Sequence, residues 1–179
     1  MSNEIKASKR VYWDSNIFLT IINEAPATRL PAIRAIFDDC DEGNIEVYTS
    51  ILSIAEVAWA ESEKKGRILD PDVEAKIDKL WTPPSPIHLV DVHQFIVFEA
   101  KALMRNSITK GEGWSLKPAD AIHLATAKRM ELNEFHTYEP GLNKYAEMVG
   151  FKICQPYTER LSFSGPLDES DAGTKEKKK

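Results

Sequence analysis

Acidic side chains recur at four places where the chain leaves an apolar run. Asp14 closes Val11-Tyr12-Trp13 and is followed by Ser15-Asn16. Glu56 ends the stretch Thr49-Ser50-Ile51-Leu52-Ser53-Ile54-Ala55-Glu56. Asp120 lies in Lys117-Pro118-Ala119-Asp120-Ala121-Ile122-His123, and Glu139 in His136-Thr137-Tyr138-Glu139-Pro140. If the strands before these points are parallel, the four segments face one edge of a sheet. Ligand chemistry in open α/β sheets collects at that edge. Crowded carboxylates raise one another's pKa, so the cluster is unfavourable by itself. A hard divalent cation such as Mg²⁺ or Mn²⁺ removes the penalty and takes oxygen ligands. It can also polarise a phosphodiester, make a bound water more acidic and steady the leaving oxygen. The pattern points to metal-assisted phosphodiester hydrolysis.

Each acid also has a plainer reading. Asp14 or Ser15 can cap the helix that follows. Asp120, near a helix start, suits the helix dipole. Glu139 can be a loop acid. Glu56 can be a solvated helix residue, although its apolar flanks Ala55, Val57 and Ala58 aim it at a cleft edge. The recurrence of acids at equivalent places weighs against four unrelated explanations.

The elements that must position these residues follow from apolar periodicity and turn chemistry. Strands are expected near Val11–Trp13, Ile45–Thr49, Ile87–Val90, Glu134–Thr137 and Phe151–Cys154. Helices are expected over Asn16–Asn23, Pro31 to Cys40, from a Ser50 cap to about Lys65, and from Asp70-Pro71 to Leu80. Further helices are expected around Phe95 to Asn106, from Lys117-Pro118 to Met130, and over Asn143–Val149. Thr82 to Pro86 holds three prolines and reads as a loop; Ser107 to Leu116 holds Gly111 and Gly113 and reads as a mobile one. Strands alternating with helices predict an α/β fold, a parallel sheet covered on both faces.

With 179 residues, 42% of them hydrophobic and 28% charged, the chain has the composition of one globular domain. The segment from Pro156 onward is charge-balanced, so the net charge of −5 belongs to the body. Such a body is no general polyanion binder and needs a local basic rim or a metal to hold nucleic acid. Two cysteines, Cys40 and Cys154, are too few for a disulfide framework or a zinc cluster. No apolar signal core and no run long enough to span a bilayer occurs, so a cytoplasmic protein without membrane contact is expected. Residues 8–156 are expected to form the domain and 157–179 a flexible tail.

The quoted segments resemble a PIN domain, and within that group the VapC-type ribonuclease toxins. The resemblance rests on Val11-Tyr12-Trp13-Asp14-Ser15-Asn16, Thr49-Ser50 with Glu56, Asp120-Ala121-Ile122-His123-Leu124-Ala125-Thr126-Ala127 and Thr137-Tyr138-Glu139, in the family's order. It implies a three-layer α/β/α fold with a central, mainly parallel sheet of about five strands. It also implies a Mg²⁺- or Mn²⁺-dependent endoribonuclease acting on RNA. Asp14, Glu56 and Asp120 match the family's metal-holding acids, and Glu139 takes the fourth place, where the family usually has Asp. Its longer side chain either reaches the metal, directly or through water, or points away. Ser15 or Asn16 would shape the first turn, and Thr137 matches a hydroxyl beside the fourth acid. The resemblance further implies a cognate antitoxin and a homodimer.

His123, three residues after Asp120 on the same helix face, reads first as a packed or hydrogen-bonded histidine and second as a ligand. Lys101, Arg105, Lys110, Lys117, Lys128 and Arg129 can form a rim for RNA phosphates or a solvated helix surface. Trp114 can anchor its loop on the core or stack on an unpaired base. The helices from Pro31 to Cys40 and from Ser50 to Lys65, with Trp59, can meet a dimer mate or an antitoxin helix once core packing is served. No Gly-x-Ser-x-Gly elbow or Gly-rich phosphate loop occurs. Two other functions compete: a non-catalytic RNA-binding or assembly module, motivated by Glu139, and a metal-dependent phosphatase. Asn16 stands where a phosphoaspartate enzyme would have its second Asp, which weakens the latter.

Overall fold

The computed structural model describes residues 8–158. Five strands, β1 (Lys9–Trp13), β2 (Ile45–Ser50), β3 (Ile87–Val90), β4 (Glu134–His136) and β5 (Lys152–Cys154), form one sheet in the order β3-β2-β1-β4-β5. Every pairing is parallel. The register sets Val11 opposite both Val47 and Glu134, and Trp13 opposite His136. The chain thus builds outward from β1 to β3, then returns to the other side of β1 for β4 and β5. The strand ending in Asp14 lies at the centre, where that reversal occurs.

Side chains alternate across β1, so Tyr12 and Trp13 enter different cores. Tyr12 packs with Ala121, Leu124 and Phe135 beneath α6 (Gln94–Ile108) and α7 (Pro118–Arg129). Val11 and Trp13 pack with Ile17, Ile33 and Ile77 beneath α1 (Ser15–Asn23), α2 (Leu30–Asp41) and α5 (Pro71–Trp81). The result is the three-layer α/β/α arrangement, with a sheet parallel throughout.

The expected helix from Ser50 to Lys65 is two helices, α3 (Leu52–Glu56) and α4 (Glu61–Gly66). Ile51, not Ser50, holds the N-cap position of the first and has no side-chain cap bond; from the end of β2 the Ser50 hydroxyl accepts the Leu52 N–H at 3.1 Å. Val57 leaves helical geometry at φ −104° and ψ 47°. The buried Glu63 then accepts the N–H groups of Ala60 at 2.8 Å and Asp70 at 2.7 Å, which starts α4 and folds the following loop onto it. The expected helix over Asn143–Val149 is a 3₁₀ segment, Pro140–Tyr145, running into the short α8 (Ala146–Val149). Of the expected tail, Tyr157 donates to Glu134 at 2.6 Å and Thr158 is buried, so these two belong to the packed body; residues 159–179 lie outside the described residues. No helix among the described residues is long and apolar enough to cross a membrane.

Candidate active site

Asp14 stands between β1 and α1 as the N-cap of the helix, and is 3% exposed. Its carboxylate accepts the Asn16 N–H at 3.1 Å, the Asn16 side-chain amide at 3.3 Å and the Thr137 hydroxyl at 2.5 Å. Asp14 is therefore the cap of α1, as the plainer reading has it. Burial raises the Asp14 carboxyl to about 6 from an ordinary 3.8, against the opposing bond from Thr137, the charge of His123 and the bonds from Asn16.

Thr137 follows β4, and its hydroxyl also accepts the Glu139 N–H at 2.9 Å. One threonine thus fixes Asp14 and the backbone of the fourth acid together. The Glu139 side chain itself is exposed. A Cβ on Gly141 would lie 3.3 Å from its Oε1, so a side chain there would crowd it.

Glu56 is the last residue of α3 and half-buried. Its Oε2 lies 2.6 Å from His123 Nε2. Burial works to raise the Glu56 carboxyl, but the bond and charge of His123, with a bond from Ser15, hold it below its ordinary value. Ser15 therefore serves Glu56, while Asn16 serves Asp14.

Asp120 sits in the first turn of α7, set by Pro118 at the helix start. Burial raises its carboxyl; His123 and Lys117 oppose, and the charges of Glu139 and Glu56 add to the rise. Asp120 and Glu139 share the wall of a cavity of about 170 Å³ with Asn16, Lys117, Lys144 and Tyr145. Of the expected basic rim, Lys117 is the member on this wall. Lys128 is paired with Glu99 at 2.6 Å, and Arg129 lies over the Phe95 ring. Lys144 escaped the sequence reading; it is one lysine in a short polar segment, and nothing in the spacing marks it. Trp114 packs on the core edge-on to Tyr145, the anchoring reading.

Asp120 thus feels the charges of Glu139 and Glu56, and the charges of Asp14 and Glu56 both reach the Tyr12 hydroxyl. Among the described residues, however, the group of three ligand-type side chains whose donor atoms lie within 4.8 Å of each other is a different one, Glu134, His136 and Cys154. Its hydrogen bonds are already made. Trp13 Nε1–H donates to His136 Nδ1 at 3.2 Å, which leaves the ring proton on Nε2, 3.1 Å from Glu134. Glu134 also takes Lys9 at 3.0 Å, Lys152 at 3.4 Å and the Tyr157 hydroxyl. Burial notwithstanding, these donors hold its carboxyl far below the usual range. A carboxylate with two ammonium partners, beside a histidine whose two nitrogens are both engaged, is a structural knot rather than a cation site.

Three solved structures share this architecture. VapBC2 from Rickettsia felis, bound to a DNA fragment from its promoter, is 16% identical with a TM-score of 0.56, covering 80% of this chain and 96% of that one. A toxin–antitoxin complex from Klebsiella pneumoniae is 21% identical with a TM-score of 0.53, covering 82% and 98%. DNA-bound VapBC from Salmonella typhimurium is 16% identical with a TM-score of 0.53, covering 81% and 96%. At such identities the likeness is one of fold. The sequence matches none of the curated proteins compared with it. The PIN domain family model matches residues 11–148, a span that runs from within β1 to within α8 and takes in all four acids, and on that match the chain belongs to the PIN domain family.

Proposed function

We propose that this PIN domain is a Mg²⁺- or Mn²⁺-dependent endoribonuclease and the toxin of a toxin–antitoxin pair. The observation that carries the reading is Asp14. A buried carboxylate with only hydroxyl and amide donors on it is poorly neutralised by the protein alone. The candidate donors are all hard carboxylate oxygens, which fit Mg²⁺ or Mn²⁺ and not a thiolate-seeking metal. Asp14, Glu56 and Asp120 would hold the ion, with Glu139 as a fourth donor from the cavity wall. When bound, the ion would offset the repulsion among the acids, polarise the phosphodiester and acidify an attacking water.

The chain's own groups do the rest. Thr137 and Asn16 orient Asp14 toward the site. Ser15 and His123 hold Glu56. Lys117 and Lys144, on the wall shared with Asp120 and Glu139, offset the acids' field where an RNA phosphate must approach. The test is RNA cleavage with and without EDTA, with Asp14→Asn and Asp120→Asn as controls. Cleavage that needs the metal and both acids is expected; equal cleavage by parent and both variants would overturn the reading. A second reading, a non-catalytic RNA-binding or assembly module, is favoured by the spread of the acids beyond a 4.8 Å cluster and by the exposure of Glu139. Absence of Mn²⁺ binding at millimolar concentration would decide for it.

The toxin assignment draws on the fold shared with VapBC and toxin–antitoxin complexes. Ile51, Ile54, Trp59, Ile68 and Leu69 are exposed on the α3–α4 segment and the loop after it, apolar surface suited to a cognate antitoxin helix. Growth arrest on expression, reversed by a neighbouring open reading frame, tests this part. A homodimer is part of the same proposal, and light scattering of the purified chain tests it.

A further inference from the structure

His123 is buried on α7 and joined at both ring nitrogens. Nδ1 lies 2.7 Å from the Tyr12 hydroxyl, and Nε2 lies 2.6 Å from Glu56 Oε2. The Tyr12 oxygen already accepts the Ser50 N–H at 2.8 Å, so its own proton is directed to Nδ1. With the ring neutral, the other nitrogen carries its proton and donates to Glu56; in a charged ring, whose field acts on Asp14, Glu56 and Asp120, Nε2 donates there as well. A single line of hydrogen bonds therefore runs from the end of β2, through the centre of β1 and across α7, to a candidate metal donor at the end of α3. The line crosses 38 positions from Ser50 to Tyr12, 111 from Tyr12 to His123 and 67 from His123 to Glu56.

Glu56 needs such a hold. It ends a five-residue helix, and the next residue leaves helical geometry, so no following helical turn flanks its side chain. A glutamate side chain has three free torsions, and fixing one oxygen takes up much of that freedom before a cation arrives. We propose that Tyr12 and His123 are positioning residues for Glu56: the tyrosine fixes the tautomer and tilt of the histidine, and the histidine pins Oε2 so that Oε1 is presented to the metal. This rests on the metal-dependent reading above. Partners one step removed from a metal commonly set ligand orientation, and their loss typically weakens metal binding by about 10- to 100-fold.

The test compares Mn²⁺ affinity by calorimetry in the parent, His123→Leu, His123→Gln and Tyr12→Phe, each checked for folding by circular dichroism. His123→Leu removes the donor to Glu56 and should weaken binding about tenfold or more. His123→Gln returns an N–H near the Nε2 position and should recover most of the loss, which a merely space-filling role would not predict. Tyr12→Phe leaves the histidine in place but unfixed, and should give an intermediate loss. In metal-free parent protein, ¹⁵N NMR should show His123 as the Nε2–H tautomer, and Tyr12→Phe should erode that preference. If the parent does not bind Mn²⁺, the metal reading fails and this inference with it. If the parent binds and folded His123→Leu binds as tightly, the positioning role alone is overturned. Should His123→Leu not fold, Tyr12→Phe decides: unchanged affinity and tautomer refute the role, and loss of both supports it.

Discussion

The Thr137 hydroxyl donates to Asp14 Oδ2 across 2.5 Å, although the two residues are 123 positions apart. That bond favours the ionised carboxylate, while burial opposes it. Removing the donor should therefore raise the Asp14 carboxyl further. Thr137→Val, nearly the same size, should move the acidic limb of the RNA cleavage profile to higher pH and lower the rate about tenfold at neutral pH. That factor corresponds to about 1.4 kcal/mol, the usual worth of a hydrogen bond to a charged group. A pH–rate profile of the two proteins checks it; superimposable limbs would refute the role given to this hydroxyl.

Asp14 also has a predictable effect on folding. Its folded pKa, about 6, is above its ordinary 3.8, so the folded state binds the proton more tightly. The ionised side chain therefore disfavours the fold, by up to about 3 kcal/mol once both states are ionised above pH 6. The penalty shrinks as pH falls from 6 and is gone below 3.8. Asp14→Asn, which keeps an acceptor for Thr137, should raise the metal-free stability at pH 7.5 by about 1–3 kcal/mol while abolishing cleavage. Urea melts at pH 7.5 and pH 4 should show the gain at the first and not at the second.

A divalent ion that binds only the folded chain must raise its melting temperature in proportion to the logarithm of ion concentration. Mn²⁺ should do so for the parent, reversibly with EDTA, and hardly at all for Asp120→Asn. Glu139→Gln should lose only a few-fold in affinity, since the fourth acid is exposed where the other three are wholly or partly buried. Equal losses for Asp120→Asn and Glu139→Gln would show that Glu139 is a full member of the donor set.

The Glu134–His136–Trp13 knot should behave as structure. His136→Ala leaves a hole among Trp13, Glu134 and Tyr157 and strands the Trp13 N–H. It should destabilise the fold by about 2–4 kcal/mol without changing Mn²⁺ affinity. Cys154→Ser should change neither. A fall in Mn²⁺ affinity in either variant would relocate the metal to this cluster.

The order of strands and helices was open to reading because the local signals were strong. Val11-Tyr12-Trp13 with Asp14, the Lys117-Pro118 helix start and the proline run from Thr82 to Pro86 each announce a boundary. The break at Val57 carried no such mark. No glycine or proline stands between Ser50 and Lys65; the break is secured by the Glu63 carboxylate, a tertiary bond that periodicity does not register. The candidate acids were visible for the same local reason, since each sits where an element ends or begins. Their partners were not. Tyr12 read only as a strand residue, because its union with His123 needs the sheet and α7 to be assembled first. The places of Lys144 and Glu139 on the cavity wall depend on how the 3₁₀ segment lies against α7, which single residues do not encode.

The central position of β1 has a consequence for how the protein is made. Translation delivers Asp14 early and Thr137 late, and α7 with Asp120 and His123 comes only after the whole β2–β3 side is complete. A ribosome that stalls or a message that is truncated before that point releases a polypeptide without Asp120, His123 and Thr137, so Asp14 and Glu56 lack those partners. On the nuclease reading proposed above, the topology itself keeps unfinished copies harmless.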